Sequence, residues 1–486
     1  QGGFQEVEQM NLFKDMVCYQ EEVRDPSRMA EVLNRVIEKA FRGSAPAQIN
    51  VPRDYWTQVI DIELPPIVRF ERQGGGKEAI ENAAKLLSKA KFPVILSGAG
   101  VVLGGAIDEC KKLAEKLDAP VCNGYQHNDS FPGSHPLAVG PLGYNGSKAA
   151  MELISKADVV LALGTRLNPF STLPGYGIDY WPKKATIIQV DMNPDRIGLT
   201  KKVSVGICGD AKQVAQQILD KLSSDAGNTG REERKNLIHK TKSAWLQTLS
   251  GLDHEEDDPG TVWNKEARER DKDRMSPRQA WRAIQDALPQ DAIISSDIGN
   301  NCAIGNAYPT FEKPRKYLAP GLFGPCGYGF PAILGAKIGC PDTPVVGFAG
   351  DGAFGISMNE MSSCAREEWP AITMVIFRNY QWGAEKRNSI LWFDDNFVGT
   401  ELDPELSYAK VANACGLKGV TCKTMEETTK AIKQSCEDQK KGITTFIEII
   451  LNQELGEPFR RDAMKKPVKV AGIKKEDMKK QPSLIS

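Results

Sequence analysis

Two apolar runs in the last third of the chain end in residues able to bind a cation, and they constrain the fold more than any other feature. Pro344-Val345-Val346-Gly347-Phe348-Ala349 leads into Gly350-Asp351-Gly352. After 26 intervening residues comes Asn379, at the end of Ala371-Ile372-Thr373-Met374-Val375-Ile376-Phe377. Apolar runs of this length read as buried strands, and the stretch from Ser357 to Arg366 reads as a helix between them. Two parallel strands would bring the Asp carboxylate and the Asn carbonyl to one carboxyl edge of a sheet, where open α/β sheets bind ligands. Mg²⁺ takes such oxygens and commonly keeps phosphates as further ligands. The flanking glycines let backbone N–H groups come close to those phosphates. Alone, the triplet would read as a turn.

The same alternation of strand and helix runs through most of the chain and implies doubly wound parallel-sheet α/β domains. Residues 1–57 contain an amphipathic helix from Pro26 to Phe41, with Met29, Val32, Leu33, Val36, Ile37 and Phe41 at helical spacing, then a strand at Gln48-Ile49-Asn50-Val51-Pro52. Residues 58–76 form a linker marked by Pro65-Pro66 and Gly74-Gly75-Gly76. A central domain spans 77–222, with strands expected at Pro93 to Ser97, Asp158 to Leu163 and Thr186 to Val190, and helices at Ala106 to Leu117 and Ala211 to Leu222. Residues 223–275 are charged and read as a helical or partly disordered connector. Ser276-Pro277 is a helix start that opens the last α/β domain, 276–451. A Lys-rich tail, 452–486, is expected to wrap the surface.

Composition removes several alternatives. With 62 basic and 63 acidic residues the net charge is −1, which gives no basis for nucleic-acid binding. No window approaches the ~18 apolar residues of a membrane span. Eleven cysteines without any Cys-x-x-Cys pair argue against a structural zinc site and a secreted disulfide framework, and for reduced thiols in a cytoplasmic protein.

The Gly-Asp-Gly to Asn spacing resembles the diphosphate-binding signature of thiamine-diphosphate enzymes. Ser295-Ser296-Asp297-Ile298-Gly299-Asn300-Asn301 looks like the family element that holds the terminal phosphates. Gly324-Pro325-Cys326-Gly327-Tyr328-Gly329-Phe330-Pro331-Ala332 looks like the segment that cradles the aminopyrimidine. The resemblance implies a three-domain plan of pyrimidine-binding, central and diphosphate-binding domains. Residues 1–57 resemble only the end of the first, so the glutamate that activates the cofactor in relatives has no counterpart expected within these residues. Thiamine diphosphate and Mg²⁺ are the implied cofactors, and a homodimer or homotetramer the implied assembly. Asp351, Asn379 and the backbone oxygen of Gln381 would hold the metal. Gly299, Asn300, Asn301, Gly350 and the amides near Gly352 and Ala353 would contact the diphosphate. The Gly324 carbonyl and Cys326 amide would face the pyrimidine. Cys326 is smaller than the bulky apolar residue of relatives, and packing is its commoner role.

Gly164-Thr165-Arg166 and the domain order resemble the acetolactate-synthase branch. Gly124 to Pro136, Gln381 to Asn388 and Glu457 to Met464 resemble more closely its members that convert sulfoacetaldehyde and phosphate to acetyl phosphate and sulfite. Two anionic substrates need donors, for which Arg166, Lys386 and Arg387 are candidates, although a solvated or structural charge is the commoner reading of each. Glu385 is a candidate for proton transfer or a first-turn acid that complements the helix dipole. His127 is a candidate donor or proton shuttle, or a loop histidine capping backbone groups. A carboligase acting on pyruvate, or a non-catalytic subunit, are the alternatives these residues leave open.

Overall fold

The computed structural model describes residues 3–66, 71–252, 271–321, 323–366, 368–392 and 397–455. The chain divides into two compact units, Gln1–Arg72 and Gln73–Ser486.

In the first unit, β1 (Tyr19–Glu22) pairs in parallel with β2 (Ala47–Asn50), and helix Met29–Gly43 connects them. Asp25 starts this turn by accepting from Ser27 N, with Pro26 at the first position of a 3₁₀ turn, so the helix proper begins three residues later than Pro26. Val32 and Val36 face the strand pair and are buried, together with Val23. Leu33, Ile37 and Phe41, expected on the same apolar stripe, are exposed instead. A two-stranded sheet is too narrow to cover an apolar face that wide.

The second unit contains two six-stranded sheets in which every pairing is parallel. The central sheet has the order β5-β4-β3-β6-β7-β8, from β3 (Pro93–Ser97), β4 (Val121–Asn123), β5 (Ala138–Pro141), β6 (Val159–Leu163), β7 (Thr186–Asp191) and β8 (Val205–Cys208). The last sheet has the order β10-β9-β11-β12-β14-β13, from β9 (Ile293–Ser296), β10 (Tyr317–Leu318), β11 (Val345–Gly350), β12 (Thr373–Arg378), β13 (Lys418–Cys422) and β14 (Thr445–Ile450). β9, β11 and β12 are buried almost throughout, as their unbroken apolar runs require. Strand order reverses between β9 and β11, so the loops leaving them flank a switch-point crevice.

Helix Pro277–Ala287 starts with a capping box between Ser276 and Gln279 and carries Trp281 inward. Its ring lies 4.8 Å from Phe348 and 5.2 Å from Phe377, and its Nε1 donates to Asn301 O at 2.7 Å. One side chain therefore packs on the two key strands and fixes the loop after β9.

The expected connector holds a helix, Arg231–Leu252; its residues 253–270 lie outside the described residues, as does the Glu457 to Met464 stretch. The helix expected at Ser357 to Arg366 instead begins at Asp351 itself and runs to Ser357, followed by a 3₁₀ turn and the short helix Met361–Cys364. An acidic first residue facing the helix N-terminus explains the earlier start. No helix of the described residues is long and apolar enough to cross a membrane.

Candidate active site

Asp351 leaves β11 fully buried and opens its helix. Its Oδ1 accepts from Gly352 N at 3.0 Å, and its Oδ2 accepts from Tyr380 N at 2.6 Å and Arg378 Nη1 at 3.0 Å. Burial pushes the carboxyl up to about 6, and the Arg378 charge and these N–H groups oppose that. Three donors on a group with about four lone-pair positions leave Oδ1 able to take a cation.

β12 delivers Asn379, and Tyr380 then adopts φ 62, which turns the chain back under the sheet edge. Asn379 and Gln381 are both buried there. Asn379 Nδ2 lies 3.5 Å from Asn301 Oδ1, and Gln381 Oε1 has no hydrogen-bond partner. Asn300 Nδ2 is also buried without a partner. A Cβ added at Gly383 would stand 3.1 Å from that nitrogen, and one at Gly352 would strike the Trp382 ring at 2.8 Å. The loops after β9, β11 and β12 thus converge on a small polar cradle whose backbone approaches closely. Among the described residues no three His, Cys, Asp or Glu side chains cluster as a metal site. One carboxylate with amide oxygens suits a hard cation that completes its shell elsewhere.

Asp297 locks the neighbouring loop. Its Oδ1 accepts from Ile298 N at 2.7 Å and Gly327 N at 3.1 Å, and its Oδ2 accepts from Gly329 N at 2.7 Å. Burial raises its pKa against these three N–H groups. Gly299 at φ 134 and Gly324 at φ 62 occupy backbone regions that favour glycine. Cys326 is half-buried, and burial, with the charges of Asp297 and Glu385, raises its thiol pKa.

Between these loops and the central sheet lies a cleft of about 290 Å³ lined by Tyr125, Tyr144 and Phe170 on one side and by Asp297, Gly299, Asn300, Gly324 and Arg387 on the other. Arg387 is buried, and its Nη1 donates to the Tyr144 hydroxyl. Glu385 is exposed on the first turn of helix Gly383–Trp392, within electrostatic reach of Cys326. Lys386 is turned to Glu401 and to Gln453 Oε1, the latter at 3.0 Å, and is absent from the cleft lining. His127 and Arg166 influence each other electrostatically at the carboxyl edge of the central sheet and also do not line the cleft. Burial, and then the Arg166 charge, push the His127 pKa down to about 4, so its ring is neutral near pH 7.

Two family models match this chain: the central domain of thiamine pyrophosphate enzymes over residues 80–218, and their C-terminal TPP-binding domain over 297–449. It is 78% identical over 481 residues to a probable sulfoacetaldehyde acetyltransferase of Rhizobium meliloti (strain 1021), covering 99% of this chain and 81% of that protein. It is 76% identical to a sulfoacetaldehyde acetyltransferase of Roseovarius nubinhibens, covering 99% of this chain and 80% of that protein. A probable acetolactate synthase large subunit of Methanocaldococcus jannaschii is 28% identical, over 89% of this chain and 71% of that protein. The chain belongs to the thiamine-diphosphate enzymes, in their sulfoacetaldehyde acetyltransferase group.

For a thiamine-diphosphate enzyme the donor set is coherent. Asp351, Asn379 and Gln381 are buried with oxygen atoms that would suit a divalent cation, and the unpartnered Asn300 amide nitrogen would suit a diphosphate oxygen. Three contributors escaped sequence reading. Arg378 adjoins Asn379 but reads as the end of a strand. Asp297 was legible only as part of a phosphate loop, not as the anchor of the pyrimidine loop. Tyr144 comes from the other sheet, and its Gly143-Tyr144-Asn145-Gly146 setting was the available signal, since it marks a tight turn.

Proposed function

We propose that this chain catalyses the thiamine-diphosphate- and Mg²⁺-dependent conversion of sulfoacetaldehyde and phosphate to acetyl phosphate and sulfite. The observation that carries this reading is its close identity, across nearly its whole length, to relatives bearing that activity in their names. The bound cofactor supplies an electron sink for the carbon of the aldehyde. The chain's own residues divide the remaining tasks. Asp351, Asn379 and the backbone oxygen of Gln381 hold the metal, and the loops at Gly299 to Asn301 and Gly350 to Ala353 bind the diphosphate. The Gly324 carbonyl and the Cys326 amide orient the pyrimidine. Glu385 exchanges a proton with the two-carbon fragment, and Arg387 attracts the anionic substrates. Arg166, Lys386 and His127 serve at most at longer range, because they do not line the cleft.

The overall step balances without an external oxidant. The aldehyde carbon is oxidised to the acyl level as the adjacent carbon exchanges sulfur for hydrogen, and the carbon–sulfur bonding pair departs with sulfite. We further propose that residues 1–57 are the end of a pyrimidine-binding domain, with 77–222 and 276–451 as the central and diphosphate-binding domains. The working assembly is a homodimer or homotetramer in the cytoplasm.

The test supplies the protein with sulfoacetaldehyde, phosphate, Mg²⁺ and thiamine diphosphate and measures both products. Equal, cofactor-dependent amounts of sulfite and acetyl phosphate are expected. Acetolactate from pyruvate, with neither of those products, would transfer the chain to the carboligase reading.

A further inference from the structure

We propose that Arg387 and Tyr144 form one oxyanion subsite, used first by the sulfonate of sulfoacetaldehyde and then, once sulfite has left, by phosphate. This rests on the function proposed above and concerns how its two anions are received.

Among the described residues that line the cleft, Arg387 is the single cationic side chain, and only 6% of it is exposed. A guanidinium fork is matched to tetrahedral oxyanions and strengthens as water is excluded. Tyr144 completes the unit from the opposite sheet. Its hydroxyl accepts from Arg387 Nη1 and donates to Asn300 Oδ1 at 3.3 Å, and the guanidinium stands 5.9 Å from the phenol ring centre. The turn carrying it is held in place. Asn306 Nδ2 donates to Tyr144 O at 3.2 Å, Tyr176 Oη donates to Gly146 O at 3.0 Å, and a Cβ at Gly143 would meet Phe170 O at 2.0 Å. Beside it Asn145 is buried with neither amide atom partnered, so polar capacity in this turn exceeds what the protein itself satisfies.

Two observations favour one subsite over two. Among the described residues a second oxyanion pocket in the same cleft would find no cation, since Lys386 faces Glu401 and Gln453 instead and the Asp297 carboxylate lies among the lining groups. The reaction itself also places the two anions alike. The sulfonate leaves the carbon next to the one that phosphate attacks, and a single carbon–carbon bond is about 1.5 Å. Tyr125 and Phe170, with ring centres 5.9 Å apart, supply an apolar wall for a two-carbon fragment that stays put while the anions exchange.

The test is steady-state kinetics of the holoenzyme with ethanesulfonate, a sulfonate lacking the reactive carbonyl. With sulfoacetaldehyde saturating, a shared subsite requires ethanesulfonate still to compete with phosphate, whereas separate subsites predict no inhibition under that condition. Tyr144→Phe, which keeps the ring and removes one hydroxyl, should raise KM for both substrates by a similar factor, roughly tenfold. Arg387→Gln should raise both much further. Calorimetry of unreacted holoenzyme with inorganic phosphate gives a readout independent of turnover, with sulfite expected to displace the phosphate. A Tyr144→Phe effect on one KM alone, or phosphate kinetics untouched by ethanesulfonate, overturns the shared subsite while sulfite release continues. Absence of sulfite from the wild-type holoenzyme overturns the functional reading and the subsite together.

Discussion

Arg378 occupies the position before Asn379, fully buried, where a cation needs a reason to be. It has one in Asp351 Oδ2 at 3.0 Å, in Glu448 Oε1 at 3.8 Å, in the carbonyls of Asp403 and Leu406, and in the faces of Tyr380 and Tyr408. The guanidinium thus compensates a proposed metal ligand from behind. Removing it strands two buried carboxylates, at roughly 3–5 kcal/mol. Arg378→Met should therefore lower the melting temperature of the metal-free protein. Because a divalent cation on Asp351 would replace part of the lost charge, Mg²⁺ with thiamine diphosphate should raise the melting temperature more in the variant than in the wild type. Equal shifts in a thermal titration would show that Arg378 is uncoupled from the metal. Glu385 poses the opposite question, since it is exposed and its first-turn position alone explains an acid. Glu385→Gln should cut kcat by about 10²-fold with cofactor affinity retained, the scale of losing a general acid–base group. Unchanged turnover would leave Glu385 as a helix-dipole residue.

At the scale of elements, apolar runs ending in turn residues made β11 and β12 legible, and the Ser276 cap made the helix that carries Trp281 legible. What pattern could not supply is which loop faces which. Tyr144 and Asn300 are separated by most of two domains in sequence, yet their side chains meet at 3.3 Å because two independent sheets present their loops to each other. The helix Arg231–Leu252 makes the same point. Its charged composition suggested a helical or partly disordered connector but gave no sign of its anchoring, in which Arg234 is buried and donates to the carbonyls of Lys91, Leu117, Asp118, Gly227 and Thr229. One guanidinium therefore ties the helix to loops of the central domain, a role invisible to hydrophobic periodicity. Arg234→Met would keep the apolar stem and remove the donors, and each carbonyl left unpaired costs roughly 1–3 kcal/mol. The expected result is a fall in melting temperature of about 5–10 °C with cofactor affinity unchanged. A shift within 1–2 °C, the scale of about half a kcal/mol, would mean that water satisfies those carbonyls instead.

At the scale of the whole second unit, the question is what makes two distinct sheets present a common cleft. The loop that follows β4 supplies much of the joint. Asn128 Nδ2 donates to Asn306 O at 2.9 Å, Gly133 N to Phe311 O at 2.8 Å, and Ser134 N to Glu312 Oε1 at 2.9 Å. Asp129 is its buried carboxylate, with Oδ2 accepting from Lys316 N at 3.0 Å and Tyr317 N at 3.3 Å at the edge strand β10. Burial raises its pKa and those N–H groups hold it down, so the carboxylate is tolerated only while β10 is docked. This loop also carries Tyr125 and His127, so docking and cleft geometry are mechanically one event. Asp129→Asn would leave an amide in place of a charged acceptor and weaken the joint by about 2 kcal/mol. Calorimetry should then resolve the two sheets as separate transitions where the wild type unfolds them together. The KM for both anionic substrates should rise in step, because Tyr144 and Arg387 approach from opposite sides of that joint. A single transition at the wild-type temperature, with kinetics unchanged, would show that the sheets are held together by their remaining contacts and that the loop after β4 only rests upon β10.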